Sequence, residues 1–189
     1  NDSFLENACS SLLSNIYIDN KDFDKAKKFI KFRTYEGQSA LAYIAFMEKK
    51  LQKAEKILKR LYKKQFKNEG FKYPEPYLSS MVGSALWFQG KNKEAKVFHE
   101  ESLETYKSIY GEKNPLLIQP YINLAMVYFN ENDFENTEFY LRKSLNLQFK
   151  FIQEQIPYLP LSQRDEFIKR LGISYPAIFS ASNIDPKGK

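Results

Sequence analysis

Apolar residues recur at steps of three and four along most of the chain, which is the spacing of helices that bury one face. Polar stretches interrupt this pattern at 20–23, 48–51, 90–92 and 131–134, and their Asn, Asp and Gly residues suit turns and helix caps. Seven glycines and eight prolines are too few for a disordered chain or an all-β fold. The pattern predicts an almost entirely α-helical chain in which each polar stretch joins two helices.

Three columns of residues repeat in these helices. The first helix of each pair carries a small residue with an aliphatic residue directly before it. The second helix carries another small residue, twelve positions after the first one. Small residues on both helices let the two axes approach closely, and the aliphatic neighbour then fills the groove between them. Successive copies are 28, 41 and 42 residues apart, which predicts a solenoid of stacked helical hairpins. The columns are Ser14, Ala42, Gly83 and Ala125; Ala26, Ala54, Ala95 and Thr137; and Leu13, Leu41, Val82 and Leu124.

These columns resemble the tetratricopeptide repeat, and the fourth copy carries the resemblance best through Tyr121, Leu124, Ala125, Tyr128, Phe134, Thr137, Leu141 and Ser144. The later copies also resemble the long-helix repeats of kinesin light chain, because YKSIYGEKNP at 106–115 is similar to the linker of that variant. Thr137, His99 and Arg33 depart from the residue types that the repeat favours. The resemblance implies an all-α fold, a right-handed superhelical solenoid of antiparallel helix pairs. The expected repeat region is 1–150, with hairpins at about 5–33, 35–67, 75–110 and 116–150.

The C-terminal segment does not follow the repeat pattern. Pro157 and Pro160 are expected to end the last repeat helix, so we predict capping helices over 151–182 and a linker or frayed tail over 183–189. This segment resembles the region that joins tetratricopeptide repeats to a CHAT domain, a caspase-like peptidase fold, in bacterial proteins. The resemblance implies a tethered CHAT domain as a possible partner. It offers an alternative function, the sensor or regulatory region of a bacterial protease whose catalytic domain lies outside this chain.

Catalytic chemistry is not expected. The single cysteine, Cys9, and the single histidine, His99, fall in different repeats, so they do not suggest a nucleophile and its base. The sequence has neither a Cys/His cluster suited to zinc nor a glycine loop suited to phosphate. We therefore predict a non-catalytic scaffold without a metal or cofactor. One cysteine fits a reducing compartment, and no apolar run reaches the roughly 18 residues that span a bilayer, so a cytoplasmic location without membrane contact is expected.

The first helix of each hairpin is expected to line the concave side of such a solenoid, where these proteins usually hold peptides. The inward positions are aromatic and polar with almost no charge, which favours a protein or peptide ligand held by apolar anchors and hydrogen bonds. The lack of Lys and Arg argues against a clamp for a terminal carboxylate. Alternatively, these aromatic residues pack the repeats together. The predicted groove comprises Asn15, Tyr43, Phe46, Tyr77, Ser84, Trp87, Asn123, Met126 and Phe129.

Positive charge concentrates in one segment of a chain whose formal net charge is +6. Between Lys49 and Lys67 there are eight lysines and one arginine but only one acid, Glu55. This segment is either a solvated helix face or a landing site for an acidic partner or a phosphate backbone. Nucleic acid ranks lowest, because only Tyr62 and Phe66 could stack on bases there. The predicted basic face comprises Lys49, Lys53, Lys56, Lys59, Arg60, Lys63 and Lys64.

Overall fold

The computed structural model of the protein describes residues 2–32, 34–67 and 75–164. These ranges contain α-helices and short 3-10 turns, and no strand occurs within them. In chain order the helices are α1 (Asp2–Asp19), α2 (Phe23–Phe29), α3 (Tyr35–Met47), α4 (Leu51–Lys67), α5 (Pro76–Trp87), α6 (Asn92–Tyr110), α7 (Ile118–Asn130) and α8 (Phe134–Gln155), with 3-10 turns at Pro115–Leu117 and Ile156–Tyr158.

The chain divides into two compact units, Asn1–Thr105 and Tyr106–Lys189. Unit 1 holds α1 to α5 and most of α6, whereas unit 2 holds the end of α6 together with α7 and α8. Within unit 1, α1 packs on α2, α3 on α4, and α4 on α5; within unit 2, α7 packs on α8. The helix α8 continues past residue 150 to Gln155, and the predicted capping helices and tail lie largely outside the described residues.

Each turn inside a helix pair uses the same backbone geometry. One residue per turn adopts a left-handed conformation, with φ of 58° at Lys21, 60° at Lys49, 76° at Gly90 and 58° at Asn132. This is the Schellman ending of a helix, in which an N–H beyond the left-handed residue returns to a carbonyl of the last turn. The four returning bonds measure 2.8–3.0 Å and join Asp22 to Tyr17, Lys50 to Ala45, Lys91 to Leu86, and Asp133 to Tyr128. The same turn conformation therefore recurs in all four helix pairs, even at Lys21 and Lys49, where lysine replaces the usual glycine.

All eight small residues of the two repeated columns are buried. Thr137, the largest of them, fits because its hydroxyl donates a 2.7 Å hydrogen bond to the Asp133 carbonyl one turn earlier. The aliphatic column behaves differently from one copy to the next. Val82 and Leu124 are fully buried, but Leu13 on α1 is 37% exposed. The prediction that this column fills the groove in every copy was therefore wrong for the first copy.

His99 occupies a position where the repeat favours an apolar residue, and the structure shows why it fits. Its imidazole is only 2% exposed and lies directly over Gly83. A Cβ added at Gly83 would approach the ring nitrogen Nδ1 to 2.8 Å, so the histidine fills the space that an alanine methyl would take. Burial lowers the pKa of His99 to about 4. The ring therefore packs between α5 and α6 in its neutral form.

We expect Gly83→Ala to destabilise the protein by about 1–3 kcal/mol, because the added methyl group overpacks the His99 contact. Chemical denaturation of the single variants and of Gly83→Ala/His99→Ala would measure the free energies of unfolding. In the double variant the smaller side chain at 99 leaves room for the methyl, so the two losses should not add. Strictly additive losses would contradict the proposed contact.

The free energy of unfolding should fall as the pH is lowered through the window between 6.5 and 4. The unfolded chain binds a proton at His99 near the ordinary value of 6.5, whereas burial lowers the folded-state pKa to about 4. The contribution of neutral His99 to stability is thus fully present above pH 6.5. Between pH 6.5 and pH 4 the free energy of unfolding decreases by up to about 1.4 kcal/mol for each pH unit. Denaturation at pH 7 and pH 5.5 would measure this change. The variant His99→Leu introduces the residue type found at the equivalent position 58 and should lose most of this pH dependence. If the free energy of unfolding of the variant changes with pH as much as that of the wild type, His99 is not its source.

Candidate partner-binding surfaces

Aromatic side chains from α3 and α5 meet on one face of unit 1. The Phe46 and Phe88 rings make an edge contact with centroids 5.1 Å apart, and Trp87 contacts Phe88 at 4.8 Å. The Tyr77 hydroxyl has a raised pKa because it is partly buried and because Tyr43 lies nearby. These five residues, Tyr43, Phe46, Tyr77, Trp87 and Phe88, are called the aromatic face below.

Part of the aromatic face packs the two helices together and part remains available. Phe46 and Trp87 are half-buried, and the Trp87 indole N–H is buried without a hydrogen-bond partner in the described part of the structure. Tyr77 and Phe88 are 51% and 56% exposed. Packing therefore accounts for Phe46 and Trp87, whereas Tyr77 and Phe88 keep about half of their surface exposed. Phe88 was absent from the predicted groove because it follows α5 instead of lying within it.

The helices that carry the aromatic face have almost no charge. Glu36 is the only charged residue among the 13 residues of α3 and the 12 residues of α5. A polar network closes one edge, where Tyr35 donates a hydrogen bond to Glu75 and the Glu75 N–H donates a 2.9 Å bond to the Gln65 side chain. Burial, followed by this bond to Glu75, raises the pKa of Tyr35. The aromatic face thus has carboxylates at its edge and no basic residue on its two helices.

The other predicted groove residues occupy different places. Ser84 is half-buried on α5, whereas Asn15 of α1 lines a cleft of about 460 Å³ beside the start of α3. In unit 2, α7 carries Met126 and Phe129 as exposed side chains, and the Asn123 side chain accepts a 2.8 Å hydrogen bond from Gln119. The structure therefore brings together only the aromatic members from α3 and α5 as one cluster within a unit.

The predicted basic face lies mainly on α4. The apolar side of this helix buries Ala54, Ile57, Leu58 and Leu61. The opposite side exposes a row of cations at helical spacing, which we call the basic stripe: Lys53, Lys56, Arg60, Lys63 and Lys64. Lys49 is not part of α4, because it lies in the preceding turn.

Lys59 differs from the basic stripe because it is paired. Its ammonium group lies 2.8 Å from Glu55 and 3.2 Å from Glu94. Burial opposes ionisation of Glu55, but hydrogen bonds from Lys59, Lys91 and Gln89 outweigh it and lower the pKa of Glu55 to about 2. The contacts with Glu94 and Lys91 join α4 to the hairpin that follows, so Lys59 and Glu55 have a structural role. Their spacing of four residues was the signal in the sequence for the local pair, whereas the contact with Glu94 needed the tertiary structure.

The single cysteine and the single histidine lie on different helices. Cys9 is exposed on α1, while His99 is buried between α5 and α6. No group of three or more His, Cys, Asp or Glu side chains there could hold a metal ion. No helix in the same ranges is both long and apolar enough to cross a membrane.

Comparison with known proteins is consistent with this architecture. Models of the tetratricopeptide repeat match residues 77–148 and 11–31. These two stretches of the chain are therefore similar to tetratricopeptide repeats. No curated protein matches it. Among solved structures, the crystal structure of BtubC (BKLC) from P. vanneervenii superposes with a TM-score of 0.68 over 98% of this chain and 80% of that chain, at 17% sequence identity.

The matched repeat models and this structural neighbour confirm the predicted fold class, an all-α helical repeat. At 17% identity the likeness shows the fold alone. Tetratricopeptide repeats indicate a protein–protein interaction scaffold. None of the comparisons shows a CHAT domain or a bacterial source, so both stay predictions from the C-terminal resemblance.

Proposed function

We propose that this chain is a non-catalytic interaction module whose aromatic face binds an uncharged, apolar segment of a partner protein. The observation that carries the proposal is the contact of Phe46, Trp87 and Phe88 beside Tyr43 and Tyr77, on and next to two helices that carry no Lys or Arg. Tetratricopeptide repeats support the general role, and the composition of this face supports the choice of ligand.

The binding energy would come from burying side chains that are now exposed. Covering Tyr77 and Phe88 would contribute about 1.5–3 kcal/mol for each fully buried side chain. The hydroxyl groups of Tyr43 and Tyr77 supply hydrogen bonds to a peptide backbone at the same time. Aromatic anchors of this kind commonly dominate interface energies.

Charge restricts which segments can bind. A carboxylate placed on the aromatic face would lose its hydration without gaining a cation, which costs several kcal/mol. The carboxylates of Glu36 and Glu75 would also repel it from the edge where α3 and α5 begin. We therefore expect the bound segment to avoid Asp, Glu and a free C-terminus, and to tolerate Lys or Arg near this edge.

Selection from a random peptide library on the immobilised protein tests the ligand class. Selected sequences should be enriched in aromatic and aliphatic residues and depleted in Asp and Glu. Replacing Tyr77 and Phe88 together by Ala should weaken binding of these peptides by about 30-fold or more, since two interface anchors are lost. Phe134→Ala/Tyr158→Ala, which removes two exposed aromatics of unit 2, is the matched control and should leave affinity unchanged. Equal losses in both variants would exclude the aromatic face.

A second surface, the basic stripe, is proposed to dock an acidic polypeptide segment. The seven basic residues and one acid of α4 give this helix a net charge of +6, which equals that of the whole chain. Within the described ranges, no carboxylate pairs with Lys53, Lys56, Lys63 or Lys64, and Arg60 donates a 2.6 Å hydrogen bond to neutral Gln38. This run of exposed, uncompensated charge favours a polyanionic partner.

The surroundings of the basic stripe favour a narrow polypeptide over nucleic acid. Glu94 and Glu101 of α6 flank it, as their contacts with Lys59 and Tyr62 show, and they would face the phosphates of a broad duplex. Tyr62 is unsuited to stacking on bases, because its hydroxyl donates to Glu101 and its ring contacts Phe98. A single extended acidic segment is narrow enough to contact the basic stripe without approaching Glu94 and Glu101.

Binding of fluorescent poly-L-glutamate, measured by anisotropy at 50 mM salt, tests the basic stripe. Replacing Lys53, Lys56, Lys63 and Lys64 by Gln should weaken binding about tenfold or more, because each exposed ion pair contributes a fraction of 1 kcal/mol. Replacing Lys21, Lys28, Lys31 and Lys93 by Gln removes the same charge elsewhere and should have a much smaller effect. Similar losses would indicate non-specific attraction, and tighter binding of a DNA duplex would identify nucleic acid as the partner instead.

A further inference from the structure

Unit 2 contains a cleft that the proposed function does not use. It has a volume of about 530 Å³, within the range of small-molecule sites, and it lies among the end of α6, the loop after it, α7 and α8. All of its lining residues belong to unit 2. Most of the lining consists of aromatic rings and lysines.

The aromatic side of the cleft is a connected set of rings. Tyr140 stacks on Tyr128 with centroids 5.4 Å apart and approaches Tyr121 at 6.1 Å. Phe139 packs edge-on against Tyr140 at 5.1 Å and is itself 50% exposed. Phe139 is thus packed on the half-buried Tyr140 and presents part of its ring to solvent.

The charged side of the cleft is strongly positive. Lys107, Lys113, Lys143 and Lys150 line it together with only one acid, Glu112. Lys143 lies over the Phe139 ring, 5.5 Å from its centroid. In the described part of unit 2, neither Lys113 nor Lys143 has a carboxylate within salt-bridge distance, whereas Lys150 is 3.7 Å from Glu154. Positive charge and an exposed aromatic surface therefore meet at Phe139 and Lys143.

We propose that this cleft binds a small aromatic anion, a flat ring that carries a phosphate or carboxylate group. The ring would pack on Phe139, and the anionic group would lie between Lys113 and Lys143. A neutral apolar molecule would leave the lysines unused, and a bare inorganic anion would leave Phe139 exposed. The requirement for both parts distinguishes this cleft from the uncharged aromatic face of unit 1. It also distinguishes the cleft from the basic stripe, where the Tyr62 ring packs on Phe98 and its hydroxyl donates to Glu101.

The chemistry fits either a nucleotide or an aromatic carboxylate, so the test includes both. Isothermal titration calorimetry of the whole chain at 50 mM salt would compare ADP, adenosine, pyrophosphate and indole-3-acetate. We expect ADP or indole-3-acetate to bind with a Kd of about 10–1000 µM, a modest affinity because the cleft is partly open. Adenosine and pyrophosphate, which each lack one part, should bind at least about tenfold more weakly than ADP if the nucleotide is the ligand.

Variants assign the binding to the cleft. Phe139→Ala should weaken binding about fivefold to a hundredfold, the range for losing an aromatic ring that stacks on a base. Lys113→Gln/Lys143→Gln should weaken it about fivefold or more, whereas Lys28→Gln/Lys93→Gln in unit 1 removes equal charge and should not. Circular dichroism would verify that each variant is folded. Binding of neither aromatic anion, equal binding of pyrophosphate and ADP, or equal losses in the two lysine pairs would overturn the proposal.

Discussion

The close approach of paired helices at their small residues determines where every other side chain can go. Ser14 and Ala26 are both buried where α1 packs on α2, and Ala42 and Ala54 are both buried where α3 packs on α4. At this separation a large residue cannot fit in the facing position, so bulky side chains are placed three or four residues away. Gly83 shows the same constraint in its extreme form, because the glycine leaves room for a whole imidazole ring from α6.

The turns and one ionic cluster convert this pairing into a repeated structure. The Schellman ending reverses the chain direction in the same way in each hairpin. Three of the four left-handed residues are not glycine, and for such residues this conformation costs about 1–2 kcal/mol. The bond network offsets that cost, since it satisfies carbonyls that the end of a helix would otherwise leave unpaired. Glu55 then joins α4 to the turn between α5 and α6 through Lys91 and Gln89.

Burial also sorts charge among the surfaces of the protein. Helices α3 and α5 are packed against neighbouring helices and carry one charged residue between them. Helix α4 buries only one side, so its lysines collect on the other and form the basic stripe. The cleft of unit 2 combines both properties, because aromatic rings anchored by packing lie beside exposed lysines. A single repeat architecture therefore offers surfaces with distinct preferences for neutral and anionic partners.

The sequence by itself determined the helices, the paired small residues and the general position of the aromatic residues. These features follow from the period of 3.6 residues and from side-chain volume, which act over a few neighbouring positions. The contact of Phe88 with Phe46, the ion pair between Lys59 and Glu94, and the exposure of Leu13 were decided by tertiary structure. So was the cleft, where residues from α6, α7 and α8 come together although no local pattern links them. The physical reason is that periodicity states which side of a helix is buried, whereas only packing decides which distant helix covers it.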